Sequence, residues 1–98
     1  MTKEVKLLVN DTAVPLDYFV EGFIDHTVGG MMAALEATGE LKTLELSING
    51  DDVSINLNGA AVPANRFVSK IIKSTVNGMV STLKGVSGVN RVNIKIKR

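Results

Sequence analysis

The amino-acid sequence predicts an α+β domain in which one strand-helix-strand unit occurs twice. Two observations predict it. Residues 5–48, shifted by 48 positions, fall on residues 53–96 without a gap. The identities include Val5/Val53, Asn10/Asn58, Ala13/Ala61, Val14/Val62, Pro15/Pro63, Phe19/Phe67, Val20/Val68, Ile24/Ile72, Thr27/Thr75, Val28/Val76, Gly30/Gly78, Met31/Met79 and Leu35/Leu83. A repeat of this kind dictates architecture before any single residue does. The apolar period also switches from two residues to 3.6 and back, in the same order in each copy.

Each element follows from its own residues. Val5, Leu7 and Val9 alternate with Lys6 and Leu8, which is a strand. Asn10-Asp11-Thr12 turns the chain, and Val14 before Pro15 is biased to an extended conformation. Asp17 stands at a helix N-cap, where a carboxylate accepts first-turn amide protons and suits the positive end of the dipole. Asn65 holds the same place in the second copy. The first helix is predicted from Tyr18 to Ala37, burying Phe19, Val20, Phe23, Ile24, Thr27, Val28, Met31, Ala34 and Leu35, and Thr38-Gly39 stops it. A strand over Thr43–Ile48 points Leu44, Leu46 and Ile48 inward. Asn49-Gly50 is a strong hairpin signal. The third strand points Val53, Ile55 and Leu57 inward, and Asn58-Gly59 turns. The second helix runs from Arg66 to Lys84 with Phe67, Val68, Ile71, Ile72, Thr75, Val76, Met79, Val80 and Leu83 buried, ended by Gly85 or Gly88. The last strand, Val89–Ile96, buries Val92, Ile94 and Ile96.

Two strand-helix-strand units joined by a hairpin can interleave, because each crossover leaves room for one strand between its two. The expected result is a ferredoxin-like sandwich over 1–98: a four-stranded antiparallel sheet in the order 4-1-3-2, both helices on one face. A lone half would expose its apolar face and dimerise.

Ninety-eight residues suit one domain. Cysteine is absent, which excludes a disulfide framework, a thiolate zinc site and a cysteine nucleophile. The start of the chain reads as a charged strand rather than a signal peptide, and cytoplasm is the expected location. The net charge of +1 conceals a division. Residues 1–49 carry three basic and eight acidic side chains, net −5; residues 50–98 carry eight basic and two acidic, net +6. Opposed charges on two similar halves favour unlike pairing over like pairing.

Residues 58–85 carry the pattern Asn-Gly-x-x-Val-Pro…Phe-Val…Gly-Met-Val…Leu-Lys-Gly. This resembles short bacterial and archaeal proteins of roughly sixty residues or fewer, the size of one βαβ unit with tails. Residues 10–37 depart from the pattern at Asp11 and at Glu36-Ala37. The resemblance implies a fused, diverged copy of a homodimeric unit and transfers no catalytic residue.

His26 falls beside Asp25 on the predicted solvent face of the first helix. An Asp-His pair can act as a base, but no nucleophile or second histidine accompanies it, and a surface histidine is the plainer reading. Asp51-Asp52 lacks the alternating ligands and distal Glu of a calcium loop and reads as turn solvation. Asn10-Asp11 and Asn58-Gly59 precede helix starts, where amide protons can hold an anion; without a glycine-rich phosphate loop they read as turn chemistry. Gly30 and Gly78, matched within helices, suggest a close approach of one helix to the other.

Gly22, Gly29 and Ala33 form a small-residue stripe on the first helix where the second has Lys70, Asn77 and Ser81. With Met32 and His26 at its margins, the stripe is a candidate partner contact, drift on an exposed face being the alternative. Arg66, Lys70, Lys73, Arg91 and Lys95 are candidate polyanion contacts. The predicted open sheet face (Lys6, Leu8, Glu45, Ser47, Ser54, Asn56, Asn93, Lys95) has no aromatic on which a base could stack, so nucleic acid is disfavoured. The expected function is a non-enzymatic binding or assembly module, a homodimer or one docking on a protein partner, with no cofactor, metal or membrane. The alternatives are a small-ligand regulatory domain and weak polyanion binding.

Overall fold

A computed structural model describes residues 4–34, 42–83 and 88–98. Its elements are β1 (Glu4–Val9), β2 (Thr12–Ala13), α1 (Tyr18–Ala34), β3 (Thr43–Asn49), β4 (Asp52–Leu57), β5 (Ala60–Ala61), α2 (Arg66–Val80) and β6 (Arg91–Lys97). The predicted helix ends at Leu35–Ala37, Thr38-Gly39, Lys84 and Gly85 lie outside the described residues. Both caps form: Val20 N donates to Asp17 Oδ1 at 2.8 Å and Val68 N to Asn65 Oδ1 at 2.8 Å.

The architecture is α+β, with an open six-stranded antiparallel sheet in the order β2-β1-β6-β3-β4-β5. This corrects the expected four-stranded ferredoxin-like sheet. The expected order put the first and third long strands in the centre; here β3 and β6, the strands after the helices, are central. The reason lies in the two asparagine turns. Asn10 (φ +51°) and Asp11 (φ +67°) are both left-handed, as are Asn58 (+53°) and Gly59 (+83°). Positive φ at both central residues makes a tight hairpin, so the chain folds back as β2 on β1 and as β5 on β4. Each arm occupies one side of its strand, and a strand with one side taken stands next to the edge. Asn49 is extended within β3; the β3–β4 loop is Gly50-Asp51, with positive φ at Gly50 (+61°) alone.

The duplication holds in the pairing. Each repeat's elements start at positions 48 apart, and exchanging the copies maps every paired residue of the sheet onto another pair: Glu4↔Lys97 onto Asp52↔Asn49, Glu45↔Lys95 onto Asn93↔Ser47. Leu46↔Ile94 maps onto itself, so a pseudo-two-fold axis passes through that pair. All three long-strand pairings, β1 with β6, β6 with β3 and β3 with β4, join one repeat to the other.

Side-chain hydrogen bonds exchange in the same way. Asn10 Oδ1 accepts from Asn90 N and Arg91 N, both at 2.9 Å; Asn58 Oδ1 accepts from Lys42 N at 2.8 Å and Thr43 N at 3.0 Å. Each asparagine therefore shapes its own turn and holds the start of a central strand in the other copy.

The core lies between the helices and one sheet face, with Leu46, Ile94, Ile24, Val28, Val76 and Val80 at its centre. Alternation along β1, β3 and β6 puts the apolar set on that face. Each helix lies over the strand that precedes it, α1 on β1 and α2 on β4, with at most marginal contact between the two. No described helix is long and apolar enough to cross a membrane.

Asn58→Ala removes two accepted hydrogen bonds and places a Cβ residue without a local side-chain partner in the left-handed region. We expect a loss of about 2–3 kcal/mol in denaturant unfolding. Asn58→Gly, which keeps the turn, should recover about 1 kcal/mol. Asn10→Ala should cost a similar amount, because its contacts are the matched ones.

Candidate functional site

The buried stripe of each helix is narrower than its apolar period. It comprises Ile24, Val28 and Met32 in α1 and the matched Ile72, Val76 and Val80 in α2, with Asp25 added to α1. Phe19, Phe23, Phe67 and Ile71, expected in the core, lie on the surface. Their exposures are 72%, 51%, 68% and 47%, and Tyr18 is 94% exposed. A helix that turns one stripe to the sheet buries that stripe and leaves this flank in water. Every aromatic residue of the chain is therefore exposed. Phe19 and Phe23 stack in a tilted pair with centroids 6.1 Å apart. The expected helix-to-helix approach at Gly30 and Gly78 is absent: a Cβ at either would meet nothing within 4 Å.

The opposite flank of α1 is polar. Asp25, expected to face solvent, is 1% exposed, and its Oδ1 accepts from Arg98 Nε and Nη2, both at 2.9 Å. A Cβ at Gly29 would lie 2.9 Å from Arg98 Nη2, so the missing side chain makes room for the guanidinium. The matched position in α2 has the charges reversed: Lys73, which stands where α1 has Asp25, donates to Asp51 Oδ1 at 2.6 Å. That hydrogen bond, and then the ammonium charge, hold the Asp51 carboxyl below its ordinary value of 3.8.

The candidate contact Gly22, His26, Gly29, Met32 and Ala33 is therefore not a single surface. Met32 is in the core at 3% exposure and Gly29 lies against Arg98. Gly22 is half-buried with open space above it, and His26 and Ala33 are exposed. His26 Nδ1 donates to Gly22 O at 2.9 Å, while the Asp25 carboxylate is engaged by Arg98, so no Asp-His pair forms.

The polyanion candidates also divide. Arg66 and Lys70 are exposed on α2. Lys73 is paired with Asp51, and Arg91 with Asp11 at 2.5 Å. Lys95 projects from the opposite face of the sheet, between Lys6 and Glu45. That open face holds a shallow hollow of about 520 Å³ lined by Glu4, Lys6, Glu45, Asn56, Lys95 and Lys97 among others. It mixes both charge signs, contains no aromatic and has no buried polar side chain aimed into it. Among the described residues no group of three His, Asp or Glu stands close enough to hold a metal.

The exposed aromatics escape a reading by periodicity, because spacing reports which residues share a helix side and not how much of that side the sheet covers. The matched glycines at 30 and 78 were the available signal: glycine in both copies fits a bare flank as well as a close approach.

Gly29→Lys is expected to lower the melting temperature whatever the state of association, since a Cβ there crowds the Arg98 guanidinium that pairs with buried Asp25. Asp51 contributes stability that is complete above its ordinary pKa and is lost as pH falls through its lower folded value. In a carboxylate NMR titration, Lys73→Ala should return Asp51 to about that ordinary value.

No family model matches the chain, and no match was found among curated proteins or solved structures.

Proposed function

We propose that this protein is a non-enzymatic assembly module that associates with a second copy of itself through the exposed flanks of its two helices. One observation carries the proposal: all of the chain's aromatic side chains lie on the surface, in the first two turns of α1 and the first turn of α2, while the core is built from Val, Leu, Ile and Met. Large aromatics dominate protein cores and interfaces, and grouped exposed apolar residues mark contact sites. Among the described residues no group of three His, Asp or Glu stands close enough to hold a metal ion. The basic side chains that a polyanion would need are divided between two faces, and two of them are engaged in ion pairs.

Multi-angle light scattering over a concentration series should give a mass of twice the 10.4 kDa chain. A variant with Phe19→Ser and Phe67→Ser should weaken association at least 30-fold, since removing an aromatic anchor costs about 2 kcal/mol or more. Its circular dichroism should match the wild type, because both rings are outside the core. A wild-type mass of one chain at millimolar concentration would overturn the proposal.

A further inference from the structure

We infer that α1 of one copy packs against α2 of the other and that the two such contacts form together, as a reciprocal pair; this rests on the self-association proposed above. The sheet topology places the surfaces. β1 and β4 run antiparallel, through β6 and β3. The pseudo-two-fold axis through Leu46 and Ile94 exchanges α1 with α2, so the first turns of the two helices lie on opposite sides of that axis. Phe19 and Phe23 form one apolar patch, preceded by exposed Tyr18, and Phe67 and Ile71 hold the matched positions of α2. A two-fold rotation perpendicular to the line joining them seats each patch on its opposite number in a second copy.

Charge selects unlike pairing. α1 contains no lysine or arginine and α2 no aspartate or glutamate. Asp25 and Lys73 are engaged within the molecule. Arg66 and Lys70 then remain exposed on α2 near Phe67, while no lysine or arginine stands on α1. A reciprocal pair built like with like would set the α2 cations against each other, which is costly and blocks the wrong partner. Pairing α1 with α2 sets those cations against a helix whose full charges are all acidic. Side-chain size agrees: Gly22 and Ala33 on α1 stand where α2 carries Lys70 and Ser81, so the unlike contact puts small against large.

Area selects the reciprocal arrangement. At roughly 150–250 Å² for a whole aromatic side chain, one α1–α2 contact covers about 500–750 Å² counting both sides. That is the size of a weak, incidental contact. Two made together cover about 1,000–1,500 Å², within reach of a specific interface.

Two variants test this. One carries Phe19→Ser and Phe23→Ser; the other carries Phe67→Ser and Ile71→Ser. Each keeps one patch intact. Unlike pairing predicts that each alone is monomeric by light scattering and that mixing them gives a 1:1 pair. That pair should be weaker than wild type, with amide shifts in α1 of the second variant and α2 of the first. If each variant dimerises alone and the mixture forms no mixed pair, the unlike pairing is overturned while self-association stands. If the wild type is monomeric, both fail. Should either variant not fold, Arg66→Glu with Lys70→Glu carries the test. We expect at least tenfold weaker dimerisation at low salt, the difference shrinking as salt is added; an unchanged dissociation constant overturns the inference.

Discussion

The structure depends on one constraint: neither repeat can complete a sheet from its own strands. β1 and β3 belong to the first repeat and run parallel with β6 of the second between them; β4 and β6 enclose β3 in the same way. Within a repeat, the ladders among the described residues are the two-residue arms, β2 on β1 and β5 on β4. Backbone donors and acceptors left unpaired in a buried strand cost about as much as lost hydrogen bonds, so a repeat alone would hold two half-satisfied strands with a gap. The fold becomes favourable only when the copies interleave. The Leu46–Ile94 pair on the pseudo-axis lies at the centre of that interleaving, both side chains fully buried. Asn10 and Asn58 fix that interleaving from the ends, each binding backbone of the other copy.

Much of this was legible in the residues. The 48-position repeat, the starts of both helices and the caps at Asp17 and Asn65 could be read directly, because each depends on local chemistry: a short polar side chain before an apolar helical run, or a strict two-residue alternation. Ile48 and Ile96, matched and identical, both lie in the core. Strand order was not legible. Split strand-helix-strand units permit either pair of strands to be central, and apolar alternation is the same in both arrangements. What decided it was the side of β1 taken by Thr12-Ala13, a two-residue arm too short to carry a period of its own. Asn58-Gly59 did announce a hairpin; it read as a bare turn because nothing in Ala60-Ala61 marks a strand. The site was the least legible part. Asp25 looked like a solvated neighbour of His26, and only the path of Arg98, distant in sequence, shows that it faces inward. Phe19 and Phe67 looked like core because a helical wheel cannot tell a flank that meets another helix from one that meets water.

The charge division between the repeats has two physical uses. Inside the molecule it forms the same link twice with opposite sign. α1 presents Asp25 to Arg98 at the end of β6, and α2 presents Lys73 to Asp51 at the end of β3. The environments differ. Asp25 is buried, so its pairing with a guanidinium that still reaches solvent offsets a substantial desolvation cost. Asp51 is exposed, and its ion pair is of the kind that solvent largely screens. Gly29 belongs to the first arrangement alone, which explains a glycine in α1 where α2 carries Asn77. A small residue that looked like provision for a partner is provision for the chain's own arginine.

The remaining charges, and the aromatics among them, follow from the same geometry. A fused pair of βαβ units on one sheet has its helices apart, each over the strand before it, so each helix keeps an uncovered apolar flank. An unfused pair would carry two identical flanks and could not discriminate between pairing like with like and pairing in exchange. The two copies differ around the rings while the core stays apolar at its matched sheet positions: Tyr18 matches Arg66 and Gly22 matches Lys70, while Phe19 and Phe67 are alike. Identical rings supply attraction in any orientation, and it is the unlike neighbours around them that choose one. The matched apolar positions of the core specify how the halves interleave; in the proposed dimer, the differences on the helix surfaces specify which surface meets which.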